Sequence, residues 1–180
     1  CPVLVRTHSV LRHPTVEQVA DELGLRAQVD QQTFDVVVLG AGPAGLATAV
    51  YASSEGLTTL VIERFAPGGQ AGTSARIENY LGFPTGLSGS ELTQRATLQA
   101  HKFGAVISSA HGGSGFAPRK VDGLQELVLD DGQEVRARCV VLATGADYRR
   151  LPADGAERFE GLGLYYAATH LEALHAAGED

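Results

Sequence analysis

The chain has no methionine and no tryptophan in 180 residues, and only two cysteines. With no Met and Cys1 in first place, it reads as a piece of a longer protein, not a whole translation product. Cys1 and Cys139 form neither a CxxC pair nor a metal-ligand spacing, which excludes a local dithiol and a cysteine zinc site. Cys139 opens the apolar run 139–142 and is expected to be a buried structural thiol. No stretch of 18 apolar residues occurs, so no membrane-spanning helix is expected. No signal peptide is visible, and cytoplasmic residence is the default expectation. Lys and Arg number 14 against 21 Asp and Glu, a net charge of −7, with no basic cluster. A nucleic-acid partner is therefore not expected. The histidines at 8, 13, 101, 111 and 175 show no HExxH or paired spacing, so no metal site is expected. There is no G-x-S-x-G and no Ser/His/Asp arrangement, and no residue is assigned a catalytic role.

What is present is glycine, 22 residues of it, and an ordinary apolar fraction of 44%. The length suits one domain, or one and a fragment. The most informative stretch is 35–63. Asp35-Val36-Val37-Val38-Leu39 reads as a short buried strand, and Gly40-Ala41-Gly42-Pro43-Ala44-Gly45 follows it. A small-residue helix is expected over 43–54. A second strand over 58–62 ends in Glu63. At this glycine content the bare three-glycine spacing arises by chance roughly 0.3 times in such a chain, so context decides. Strand, glycine turn, helix, strand and acid in that order form the dinucleotide-binding arrangement. Gly40 permits the turn, Gly42 lets the backbone approach a pyrophosphate, and Gly45 lets the helix sit close on the sheet. The free N–H groups and dipole of the helix N-terminus suit phosphate, and Pro43 suits the first turn. A carboxylate at Glu63 accepts ribose hydroxyls and repels a 2′-phosphate, so FAD or NAD fits and NADP does not.

Upstream, residues 2–5 read as a short strand. Thr15-Val16-Glu17-Gln18 is a capping-box pattern opening a helix with Val16, Val19, Ala20 and Leu23 on one face, ended by Gly24. Residues 25–33 read as a linker. Downstream of Glu63, an irregular stretch over 64–89 is long enough to be functional or disordered. Ser88-Gly89-Ser90-Glu91 caps a second helix to about residue 103, with Leu92, Ala96, Gln99 and Phe103 on one face. Residues 105–109 read as a third, parallel strand, and 111–118 as a glycine-rich loop. Residues 124–129 and 134–142 form a hairpin around Asp131-Gly132, a type I′ signal. The tail from 151 is looser, with a helix expected over 170–177.

Within the irregular stretch, Gly68, Gly69 and Gly72 allow close approach to a flat ligand. Gln70 and Asn79 offer uncharged amides that suit the polar edge of a flavin. A surface loop with turn residues accounts for the same letters. The set Gly40-Ala-Gly-Pro-Ala-Gly, Gly68-Gly69-Gln70, Ile77-Glu78-Asn79-Tyr80 and Ala143-Thr144-Gly145-Ala146, in that order, resembles the FAD-binding half of the low-molecular-weight bacterial thioredoxin reductase family. The nearest likeness is to multidomain members with an extra N-terminal domain. The resemblance covers about residues 34–172. It implies an α/β fold: a Rossmann-like FAD-binding domain, with a parallel sheet and a β-hairpin or meander crossover, truncated before the NADPH domain. It implies FAD as cofactor, with NADPH or NADH served only by a domain outside this chain. The implied cofactor-binding residues are Gly40, Gly42, Pro43 and Ala44 at the pyrophosphate and Glu63 at the ribose, with Gly45 and Arg64 beside them. Gly69, Gln70 and Asn79 are implied at the flavin or ribityl chain, and Thr144 and Gly145 at the closure of the site. A homodimer is implied for the full-length protein.

Residues 1–30 read as an N-terminal extension, 34–150 as the first part of the FAD-binding domain, and 151–180 as a connector. Cys1-Pro2-Val3-Leu4-Val5, a turn and a capped helix are also similar to the end of a thioredoxin- or glutaredoxin-like domain. A linker with one helix fits the same residues. Such a domain, or a separate thioredoxin-like protein, is the implied partner. The family's dithiol segment corresponds here to residues 163–170, where Ala167 and His170 stand at the two cysteine positions. Neither forms a disulfide, so dithiol exchange at this place is excluded. His170 reads as a proton donor, a helix cap or a solvent-facing residue. Two functions stay open: a flavin oxidoreductase domain, and a noncatalytic dinucleotide-binding redox sensor. An NAD-dependent dehydrogenase half has no need of the Gly68-Gly69-Gln70 and 77–80 motifs.

Overall fold

The structure is a computed structural model that describes residues 3–6, 9–111, 119–147 and 149–166. Cys1, Pro2, Ala167, His170, the expected helix over 170–177 and all but His111 of the expected glycine-rich loop lie outside the described residues.

Strands β1 (Val3–Arg6) and β2 (Ser9–Arg12) pair antiparallel. The sequence predicted the first and missed the second. Helix α1 (Val16–Glu22) starts at the predicted capping box. The Gln18 N–H donates to Thr15 Oγ1 at 3.3 Å, and the Thr15 N–H donates to Gln18 Oε1 at 2.9 Å. Gly24, at φ +68°, follows its last turn. The expected apolar face is only partly covered: Ala20 is buried, whereas Val16 and Leu23 are exposed.

A six-stranded sheet forms the centre, its strands in spatial order being β5 (Val106–Ser108), β4 (Thr59–Ile62), β3 (Gln32–Leu39), β8 (Glu134–Leu142), β7 (Leu124–Val128) and β6 (Arg119–Val121). Its parallel part is β3 (Gln32–Leu39), β4 (Thr59–Ile62), β5 (Val106–Ser108) and β8 (Glu134–Leu142). Strand β3 starts three residues before the expected Asp35, because Gln32, Thr33 and Phe34 pair with Val135, Arg136 and Ala137 of β8. Thr58, expected in β4, precedes it. Its N–H and hydroxyl both donate to Asp35 Oδ2, at 2.9 and 2.8 Å, which sets the register of the two strands.

Helices α2 (Pro43–Ser54) and α3 (Gly89–Lys102) cover one face, where Val36, Val38 and Val61 meet Leu46, Ala49 and Ala100. Ser88 caps α3 by accepting the Glu91 N–H at 3.1 Å. The buried stripe of α3 is Leu92, Thr93 and Ala100, with Ala96 packed against the same core; of the expected face of Leu92, Ala96, Gln99 and Phe103, the last two face solvent instead. A single apolar residue per turn left the stripe's rotation undetermined by the pattern.

The opposite face carries Val37, Leu39, Leu60 and Ile62. Leu127 and Leu129 of the β7 hairpin (β7, Leu124–Val128) cover it, and so does Val29, which is 2% exposed. The stretch expected to be a linker is thus a strap across the sheet. The Ala27 N–H donates to Ser108 Oγ, the Val29 N–H to Gln133 Oε1, and the Gln31 N–H to the Glu134 carbonyl. Polar letters hid this strap, because its anchors are backbone groups satisfied by other elements.

The antiparallel part has two turns. Strand β6 (Arg119–Val121), missed from the sequence, meets β7 through Asp122-Gly123, both at positive φ (+50° and +85°). That is the type I′ pattern. At Asp131-Gly132 only the glycine is at positive φ. There the Gly132 N–H donates to the Leu129 carbonyl and the Leu129 N–H to the Gln133 carbonyl. This is a three-residue loop with a type I turn and a glycine bulge, not type I′. Cys139 is exposed, against expectation. Strand β7 pairs with β8 only from Glu134 to Ala137, so the later part of β8 has no strand beyond it on that side among the described residues.

Candidate dinucleotide site

The parallel strands β3, β4 and β8 all end at one rim, and a cavity of about 800 Å³ opens there. In a doubly wound sheet, ligands bind outside the carboxyl ends of the strands. Three loops enclose the cavity. The first is the turn after β3, which contributes Gly40, Gly42, Pro43 and Ala44. The second follows β4, with Glu63, Arg64 and Phe65, and runs through Gly68, Gly69 and Gln70. The third follows β8, with Thr144, Gly145 and Asp147.

Close backbone packing fixes these loops. Gly40, at φ +105°, lies so near the third loop that an added Cβ would sit 2.3 Å from the Ala143 carbonyl oxygen. A Cβ on Gly45 would sit 1.8 Å from the Gly40 carbonyl oxygen. The Gly68 N–H donates to the Ala41 carbonyl at 2.8 Å, which brings the second loop onto the first. The Gln70 amide donates to the Ala146 carbonyl, which joins the second loop to the third. Gly42 differs: nothing lies within 4 Å of its would-be Cβ, so the space before it is open.

Gly42 is the N-cap of α2, and no side chain caps the helix there. The first-turn N–H groups are thus left for another acceptor, and no acidic residue stands in that turn to oppose an anion. A pyrophosphate meets both requirements, compact approach and unfilled donors. Glu63 is 8% exposed, and its carboxylate accepts the Ala41 N–H at 2.6 Å and the Phe65 N–H at 2.9 Å. Each oxygen keeps acceptor capacity for a hydroxyl. The bond to Ala41 also makes Glu63 a brace for the glycine turn, a role the sequence did not reveal.

Of the sequence-predicted residues, Gly40, Gly42, Pro43, Ala44, Glu63, Arg64, Gly69, Gln70, Thr144 and Gly145 line this one cavity. Gly45 does not; it stands behind the turn as a packing glycine. Asn79 does not line it either. The Ile77–Leu87 bridge and the Arg76 guanidinium, bonded to the Thr85 carbonyl at 3.0 Å, close residues 77–87 into a separate exposed loop. The sequence missed Phe65, Ser90 and Thr93, which also line the cavity. The capping box at Ser88 was the available signal for the last two, since it places them in the first turns of α3.

The sequence profile described as pyridine nucleotide-disulphide oxidoreductase matches residues 34–177. The chain belongs to that family. Within it, the chain is thioredoxin reductase-like. It is 39% identical over 140 residues to the thioredoxin reductase of Bacillus subtilis (strain 168), covering 77% of this chain and 42% of the relative. It is 40% identical over 136 residues to that of Treponema pallidum (strain Nichols), covering 76% and 43%. Among solved structures, Lactococcus lactis thioredoxin reductase in its FR conformation superposes with a TM-score of 0.62 at 31% identity, over 70% of this chain and 40% of that one. The T. acidophilum thioredoxin reductase gives 0.63 at 31% identity, over 72% and 41%. The chain therefore spans about 42% of the curated relatives it matches. Family membership makes FAD the cofactor, and the chain an FAD-binding domain of the flavin oxidoreductase type.

Proposed function

We propose that the intact protein is a flavin oxidoreductase that moves electrons from NADPH or NADH through FAD to an acceptor, and that this chain supplies the cofactor cradle. The observation that carries the reading is the convergence of the Gly42 helix N-terminus, Glu63 and Gln70 on one cavity at the strand ends. Gly40, Gly42, Pro43 and Ala44 would hold the pyrophosphate, with Glu63 and Arg64 at the ribose. Gly69, Gln70, Thr144 and Gly145 would hold the flavin end. Asn79 would join them only if its loop swings inward. Bound FAD supplies hydride acceptance and electron transfer; the chain's residues bind it, orient it and tune it. No helix of the described residues is long and apolar enough to cross a membrane. A cytoplasmic homodimer is the proposed setting, with a thioredoxin-like domain or protein as the N-terminal partner. The β1-β2 hairpin followed by α1 supports that partner, since it contains the strand, turn and capped helix on which the likeness rests, with β2 added.

The test is direct. FAD titrated into the purified chain should show quenched flavin fluorescence and a shifted visible band. Unaltered free-flavin spectra at saturating protein would sink the cradle assignment. The full-length protein is then assayed for NADPH oxidation with a disulfide and with a quinone.

A second reading is favoured by one observation, Ala167 and His170 at the dithiol positions. The protein then holds FAD as a noncatalytic redox sensor. FAD-loaded full-length protein that turns over no nicotinamide with any acceptor supports the sensor; turnover with a quinone supports the oxidoreductase.

A further inference from the structure

Behind the ribose side of the cavity lies a buried polar network that no step of the proposed function uses. Its centre is Arg26, whose side chain is 4% exposed. Its Nη2 lies 2.9 Å from Asp130 Oδ1 and 2.9 Å from Asp131 Oδ2. Its Nη1 donates to the Ala110 carbonyl at 3.1 Å, and its Nε lies 3.3 Å from Asp21 Oδ1 on α1. His111 is fully buried, with Nδ1 2.7 Å from Asp130 Oδ1 and Nε2 2.7 Å from Ser108 Oγ. The carboxylate only accepts, so Nδ1 donates to Asp130, which leaves Nε2 of a neutral ring to accept the hydrogen bond of the Ser108 hydroxyl. Ser108 Oγ in turn accepts the Ala27 N–H at 2.9 Å.

His111, Asp130 and Asp131 have ligand-like spacing, within 4.8 Å of one another. The guanidinium already lies against both carboxylates, so the group is an arginine clamp and not a cation site. Its Ser108-His111-Asp130 line is likewise shut from solvent, with Ser108 and His111 fully buried.

What the clamp holds is residues 108–111, and these hold the site. The Glu63 N–H donates to the Ser108 carbonyl at 2.8 Å, and the His111 N–H to the Glu63 carbonyl at 3.1 Å. The Ala110 N–H donates to the Phe65 carbonyl at 3.2 Å. Ala110 itself sits at φ +62°, a left-handed conformation that a non-glycine residue keeps only when its surroundings impose it. Arg26 is bonded to that residue's carbonyl, and the N–H groups of Ser109, Ala110 and His111 are bonded to Leu25, Phe65 and Glu63. The path is continuous: Asp21 on α1, Arg26, Ala110 and His111, then Glu63 and Phe65, then the glycine turn through Ala41.

We infer that Arg26 is a positioning residue for the ribose end of the dinucleotide site, and that through it the N-terminal extension is part of that site. The inference rests on the reading that FAD occupies the cavity with its ribose at Glu63. Arg26 touches no ligand; it sets the backbone on which Glu63 and Phe65 are presented. The profile match begins at residue 34, so this support comes from residues before the matched segment.

The full chain, with Arg26→Met, Arg26→Lys and a core control Leu127→Val, tests it. Dissociation constants are measured for FAD and, separately, for ADP, which carries only the adenosine half. In Arg26→Met both constants should rise by the same factor, about tenfold, and by about threefold in Arg26→Lys. In Leu127→Val both should stay within twofold, although that change also loosens the fold. The amide resonances of Ala41 and Phe65 should move in the Arg26 variants and not in the control. Wild-type affinity for FAD and ADP in a folded Arg26→Met overturns the inference. So does a rise in the FAD constant with ADP unchanged, which places the effect at the flavin half. A wild-type chain that binds neither ligand overturns the underlying reading instead, and the inference with it. Should Arg26→Met not fold, Arg26→Lys decides alone by the same two constants.

Discussion

Gly42 and Gly45 sit three residues apart in one turn, and a methyl group added to each has a different consequence. At Gly42 the new Cβ meets nothing within 4 Å and the backbone, at φ −72°, suits any residue. Gly42→Ala should therefore unfold in urea within about 0.5 kcal/mol of the parent. It fills the open space before the helix N-terminus, so the FAD dissociation constant should rise at least tenfold, about 1.4 kcal/mol. At Gly45 the Cβ would lie 1.8 Å from the Gly40 carbonyl oxygen, and α2 must lift off the turn. Gly45→Ala should lose about 1–3 kcal/mol of stability as well as FAD binding. Equal effects of the two substitutions on the urea midpoint would contradict this division. Glu63→Gln makes a third residue-scale case. Its amide nitrogen must face the N–H of Ala41 or of Phe65, donor against donor. The expected cost is about 1–3 kcal/mol of stability, visible as an earlier urea midpoint before any ligand is added.

The strap from Arg26 to Gln31 is the element that most changes the reading of the chain. Val29 is 2% exposed against Phe34, Leu60, Leu127 and Val135. Val29→Ala removes two buried carbon groups there and should lower stability by about 2 kcal/mol. A solvated linker would register nothing in the same urea titration. The contrast shows what the letters carried. Strands β3 and β4, helix α2 and the Ser88 and Thr15 caps were legible because each depends on its own local sequence: an apolar run, a glycine spacing, a hydroxyl three residues before an acceptor. The pyrophosphate turn and Glu63 were legible for the same reason. The strap, β6, the exposed Cys139 and the rotation of α3 were not, because each is set by what another part of the chain supplies. Val29 is buried by the hairpin, whereas Cys139 is exposed although its neighbours Val140 and Val141 pack against the core. The Asp-Gly signal was real but stood at two places. Pairing partners decided which turn became type I′, Asp122-Gly123 and not Asp131-Gly132.

At the scale of the whole molecule, carboxylates tie separate elements together and set the response to acid. Asp35 joins β3 to the start of β4, and hydrogen bonds from the Thr58 hydroxyl and N–H hold its pKa below the ordinary value. For Asp131, burial acts to raise the pKa. Bonds from Gln133 and Arg26 outweigh that and lower it. A carboxylate with a depressed folded pKa contributes stability that is full above its unfolded value, about 3.9, and is lost as pH falls through the lower folded value. Both ties should therefore be intact at neutral pH and down to about pH 5, and weaken below about pH 4. The chain carries a net charge of −7 at pH 7, so protonation first relieves repulsion and only then breaks these ties. Stability measured by urea from pH 7 down to pH 3 should stay level or rise slightly and then fall steeply. Asp131→Asn keeps the shape but cannot ionise. It should be less stable than the parent at pH 7, with the difference shrinking as pH falls toward 3, because the parent loses there what the variant never had. A difference that grows with acid has the wrong sign for a depressed carboxylate and would remove Asp131 from the clamp that joins the N-terminal helix, the hairpin and the cofactor site.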